Sequence, residues 1–91
     1  METYVSFKNH KIFLNKFTTS FLVNWWNKKK WRGTSKSMDY GVKLYFDKCQ
    51  IWDLILFLNE ANDSCLSFAI ESLTELVFSM MEDEVAEFYF N

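Results

Sequence analysis

At Asp47 the apolar residues of this chain change their period, and that change limits what the two halves can become. Before it, Met38, Tyr40, Val42, Leu44 and Phe46 alternate with mostly polar neighbours, the pattern of a half-buried strand. After it, apolar side chains recur every three or four positions, as a helix requires. Asp47 and Gln50 have the spacing of a capping box at the boundary, with Asp in the cap role.

From Lys48 to about Glu60, apolar residues take up most of a helical circumference. Only a strip of Cys49, Asp53 and Glu60 is left, so this helix is expected to be nearly enclosed. Asp63 then caps a second helix. With Leu66 as origin, Ala69, Ile70, Leu73, Leu76, Val77, Met80 and Met81 complete an apolar arc of about 140°. Glu84 would return to that arc, so the helix is expected to end near Met81 or Glu82. The tail from Glu87 to Phe90 is expected to form an edge strand or a last turn.

In the first half, residues 4–15 read as a β-hairpin turning at Asn9-His10. Val5, Phe7, Ile12 and Leu14 lie on one face, and Tyr4, Ser6 and Phe13 on the other. Residues 18–32 carry signals of both kinds. Their β-branched and aromatic content favours a strand. A helix from Thr19, closed by Lys28–Lys30 and Gly33, has proper end signals, but its apolar residues scatter around the wheel. The strand is the expectation, followed by a basic loop over residues 27–37. The whole predicts an α+β domain spanning residues 1–91: three or four antiparallel strands from the N-terminal half, packed against two C-terminal helices.

Ninety-one residues hold one core, and at 49% hydrophobic and 24% charged content the chain has enough apolar surface to fold without staples. The absence of proline and the presence of only two glycines leave few special turns. Eighteen aromatic residues exceed what a small core readily hides, so some rings are expected at the surface or in an interface. Cys49 and Cys65 lack metal-ligand or CxxC spacing and are expected to be reduced, buried thiols. No basic segment leads into an apolar run at the start, and no apolar stretch approaches the ~20 residues of a membrane span. A cytoplasmic location is therefore expected. The preference for lysine over arginine fits an AT-rich bacterial or phage genome, hence a bacterial cell or an infected host.

Charge divides the chain as sharply as period does. Ten basic residues against Glu2, Asp39 and Asp47 give residues 1–48 a charge of +7, while nine acids and no base give residues 49–91 a charge of −9. Mutual neutralisation explains this weakly, because surface ion pairs contribute only ~0–1 kcal/mol each. A field directed at a partner explains it better.

Catalytic signals are sparse. His10, the only histidine, falls at a turn, and there is no phosphate loop, GxSxG or HExxH. The expectation is a non-enzymatic chain needing no cofactor or metal. On the second predicted helix, Glu71, Glu75 and Glu82 project within about 40° of one another, flanked by Phe68 and Phe78, away from the apolar arc. Carboxylates beside rings suit a protein partner with a basic surface, such as a nuclease or a nucleic-acid-binding complex. A second candidate interleaves Trp25, Trp26 and Trp31 with Lys28, Lys29, Lys30, Arg32 and Lys36, a combination suited to single-stranded nucleic acid. The two charged halves would also allow a homodimer. By size, partial acidity and lack of catalytic groups, the chain is of the same kind as toxin-neutralising immunity proteins and phage anti-defence proteins such as anti-CRISPRs. The expected role is therefore inhibition of a nucleic-acid-handling enzyme, with a single-stranded nucleic-acid-binding accessory role as the alternative.

Overall fold

A computed structural model describes residues 3–29, 35–38 and 41–90; for 35–38, 41 and 42 it describes the backbone alone. The strands are β1 (Thr3–Phe7), β2 (His10–Leu14), β3 (Ser35–Met38), β4 (Gly41–Asp47) and β5 (Val85–Phe90). The helices are α1 (Lys16–Lys29), α2 (Lys48–Glu60) and α3 (Ser67–Ser79), the last entered through a 3-10 turn at Ser64–Leu66. The architecture is α+β: an antiparallel sheet with strand order β2-β1-β5-β4-β3, with helices packed on one face. No helix among the described residues is long and apolar enough to cross a membrane.

The N-terminal hairpin forms, but its turn is Lys8-Asn9, because Phe7 pairs with His10 and Val5 with Ile12. The expected turn lay one residue later. That error slips the register by two, and a slip of two keeps every side chain on its face. Lys8 takes φ 54°, the left-handed conformation that mirror-image hairpin turns require of a central residue.

Residues 16–29 are a helix, not a strand. Asn15 starts it: its Oδ1 accepts the Thr18 backbone N–H at 2.8 Å, as an N-cap does. The buried residues Thr18, Leu22 and Trp25 follow helical spacing but form a narrow stripe. Phe17 and Val23 stay exposed, which is why the apolar residues scatter around the wheel. The expected loop over 27–37 shortens accordingly, since Lys28 and Lys29 end α1 and Ser35–Met38 pair as a strand. The expected single strand from Met38 to Phe46 is two strands, with Met38 opposite Gly41.

The capping box at Asp47 is formed. Asp47 Oδ1 accepts the Gln50 N–H at 2.8 Å, and Gln50 Oε1 accepts the Asp47 N–H at 2.9 Å. α2 buries Ile51, Leu54, Ile55 and Leu58, a compact helical face. Leu56 is 59% exposed, so α2 is less enclosed than expected; on the helical wheel it borders the strip of Cys49, Asp53 and Glu60, about 20° beyond Cys49. Asp63 caps the 3-10 turn, accepting the Cys65 N–H at 2.9 Å. α3 buries Ala69, Leu73, Leu76 and Val77. Both thiols are exposed, contrary to expectation.

The tail is neither an edge strand nor a turn. β5 is the middle strand, paired antiparallel to β1 and to β4. Val5, Phe88 and Leu44 lie side by side across the three strands and are all but inaccessible. Trp25 meets Phe46 edge-on at 5.0 Å and Phe46 meets Phe88 at 5.1 Å, so a line of rings joins α1 to the sheet centre.

Candidate protein interface

The outer side of α3 carries Phe68, Glu71, Glu75 and Phe78 into solvent. Helical periodicity allows nothing else: these four lie opposite Ala69, Leu73, Leu76 and Val77, which the core claims. Phe68 is 68% exposed and Phe78 73%, an unusual state for rings beside a core with room for other aromatics. Phe78 leans edge-on against Trp52 of α2 at 5.8 Å, which fixes its direction without covering it.

Glu71 and Glu75 sit one turn apart with like charge, a repulsive spacing on a helix. Among the described residues the ion pairs are Lys8–Glu84 at 3.3 Å, Lys29–Asp53 at 3.3 Å and Lys43–Glu87 at 3.7 Å, none of them on this face. Glu82 departs from the expected site. α3 ends at Ser79, Met80 turns extended, and Glu82 occupies the following turn, exposed but off the helical projection. The turn is held by the Met81 N–H donating to Glu84 Oε1 at 2.8 Å and the Glu84 N–H donating to Met81 O at 3.1 Å.

Beyond Phe68 the surface falls into an open groove of about 640 Å³ between α3 and residues 10–13 of β2. Phe68, Glu75 and Leu76 form one wall, and Lys11, Ile12 and Phe13 the other. Apolar side chains thus line a cleft with a carboxylate on one bank and an ammonium on the other. The hairpin's share of this groove could not be found without knowing that β2 is an edge strand.

The second candidate site is dismantled in part. Trp25 is fully buried, and its Nε1–H donates to Asp53 Oδ2 at 2.7 Å, so its ring cannot stack on a base while α1 remains folded. Trp26 is half-buried, with Nε1 enclosed and without a hydrogen-bond partner among the described residues. Lys28 and Lys29 are exposed at the end of α1, with Lys29 paired to Asp53. Lys30, Trp31 and Arg32 lie outside the described residues, as does the side chain of Lys36. No group of three His, Cys, Asp or Glu side chains able to hold a metal ion occurs among the described residues.

No protein-family model, no curated protein and no solved structure matches the chain significantly.

Proposed function

We propose that the protein is a non-enzymatic binding module that uses the outer side of α3 to occupy a basic surface of a protein that handles nucleic acid, in the manner of an inhibitor or immunity protein. The observation that carries this reading is the exposure of Phe68 and Phe78 on either side of Glu71 and Glu75, with no described cation paired to those carboxylates. Rings of this kind supply the desolvated anchors that dominate interface energies. The carboxylates, Glu82 among them, contribute orientation and association rate.

The test compares wild type with the Glu71→Lys/Glu75→Lys/Glu82→Lys variant in affinity capture from a bacterial lysate, followed by association kinetics with the purified partner. The reading expects a basic, nucleic-acid-handling protein retained by wild type and lost by the variant, with association slowed at least tenfold and melting unchanged within a few degrees. A partner that binds both forms equally well would refute it.

A further inference from the structure

The helices cover only one face of the sheet, and the chemistry of the other face is distinct. Register sets two rows of side chains there. One row runs Phe13, Tyr4, Tyr89, Lys43 across β2, β1, β5 and β4. The adjacent row runs Lys11, Ser6, Glu87, Tyr45 across the same strands. Phe13 is 58% exposed, and the others are partly or fully open to solvent. The Tyr4 ring lies 4.9 Å from Tyr89 at an interplanar angle of 26° and 5.9 Å from Phe13, forming a continuous aromatic strip across three strands. Lys11 Nζ lies 4.8 Å from the Tyr4 centroid, and Lys43 Nζ lies 3.7 Å from Glu87 Oε2.

We infer that this open face is a platform for a short stretch of single-stranded nucleic acid, a function separate from that of the α3 surface, which it adjoins at the groove where Lys11 and Phe13 face Phe68 and Glu75. Tyr4 and Tyr89 stack on each other and Lys11 lies over Tyr4, so the exposed Phe13 ring and the outer side of Tyr89 are left to receive about one or two bases, a form of contact that tolerates any sequence. The lysines at the two ends of the strip supply phosphate contacts, and backbone register places Lys36 of β3 beside Lys43. Charge selects the ligand: in a protein of net charge −2, the two rows set Lys11 and Lys43 against Glu87, while Asp47, farther along β4, is engaged in capping α2. The two rows contain no Val, Ile, Leu or Met, and the described aliphatic side chain on this face, Val85, stands beyond them opposite Asp47, less than a sheet face packing against another protein layer would need. Glu87 occupies Lys43 in the free protein, and nucleic acid binding transfers that lysine to a phosphate.

The test is fluorescence anisotropy of a labelled 12-nucleotide oligo-dT and oligo-U with the full chain. With two or three phosphates neutralised, raising salt from 50 to 200 mM should weaken binding by about 7- to 18-fold. Phe13→Ala and Lys11→Glu should each weaken it about tenfold or more with an unchanged circular dichroism spectrum. Tyr4→Leu, which keeps bulk but removes the ring, should do the same. Glu87→Gln should tighten binding several-fold by releasing Lys43. The Glu71→Lys/Glu75→Lys/Glu82→Lys variant should bind no more weakly than wild type, so failure here is separable from failure of the α3 interface. The inference is overturned by absence of binding at 100 μM protein and 50 mM salt, by equal affinity for the corresponding duplex, or by binding indifferent to Phe13→Ala and Lys11→Glu. Self-association that Phe13→Ala abolishes and oligonucleotide does not displace would likewise overturn it, assigning the face to a second copy of the chain.

Discussion

The indole N–H of Trp25 donates to Asp53 Oδ2 at 2.7 Å, and this bond ties α1 to α2 across 28 positions of sequence. Lys29 approaches the same oxygen at 3.3 Å from the next turn of α1. The ion pair is partly solvated and contributes little. The hydrogen bond matters more, because Trp25 is fully buried and its N–H has no access to water. Asp53→Ala should therefore destabilise by about 1–3 kcal/mol, the cost of an unsatisfied buried donor. Trp25→Phe combined with Asp53→Ala should cost less than the sum of the single changes, and a urea-denaturation cycle measures the difference.

The reciprocal bonds between Asp47 and Gln50 predict a smaller effect. Asp47→Ala removes the acceptor at the N-terminus of α2 and should cost about 1 kcal/mol. In a domain of this size that corresponds to a fall in Tm of about 4–8 °C, read by thermal circular dichroism.

At the centre of the sheet Phe88 is fully buried between Val5 and Leu44 and edge-on to Phe46. Phe88→Ala should cost about 3–5 kcal/mol. Against a typical total of about 5–15 kcal/mol, that loss removes at least about a fifth of the stability and should lower the denaturation midpoint clearly. Phe68→Ala, at an exposed position, should shift the midpoint negligibly in the same titration.

Glu84 makes stability pH-dependent in a defined direction. The Met81 backbone N–H is the main cause that holds its carboxyl below the ordinary value of 4.5; reduced hydration opposes this, and Lys8 adds to the lowering. Because the folded form has the lower pKa, the contribution is present above the unfolded value and disappears as pH falls through the folded one. Glu84→Gln should be the less stable protein at neutral pH and converge with wild type in acid. Carboxyl chemical shifts followed by NMR would locate the midpoint below 4.5.

Cys49 opens α2 and Cys65 lies just past its far end, so about 20 Å of helix separates two thiols that would need Cα atoms within about 7 Å to join. Both are exposed. A thiol-titrating reagent should count two reactive groups in the native protein, and mild oxidation should yield crosslinked pairs of chains without an internal bridge, as non-reducing mass analysis would show.

Periodicity made the second half legible. Asp47 stops a strand and starts a helix through one carboxylate, and the expected stripe from Leu66 to Met81 is buried as far as Met80, Ile70 only partly so, while Met81, past the end of α3, is 67% exposed. Phe68, Glu71, Glu75 and Phe78 were legible for the same reason. α1 was not, because a helix that buries only Thr18, Leu22 and Trp25 has too narrow a stripe to register, and its cap, Asn15, lies four residues before the expected start. β5 was hidden because its place between β1 and β4 depends on contacts distant in sequence. The aromatic strip of the open face was half visible. Alternation set Tyr4 and Phe13 on one side of the hairpin, but nothing local reveals that Tyr89 arrives beside them.

The position of β5 also has a consequence for assembly during synthesis. Two ready-made hairpins, one on either side of a vacant slot, must wait for residues 85–90 before any amide ladder connects them. Until then β1 and β4 each offer an unsatisfied edge to any passing extended segment, in a nascent chain already rich in aromatic side chains. Of the five described strands, the one translated after the other four is thus the one that joins the two hairpins, and conditions that slow its arrival favour intermolecular pairing over folding.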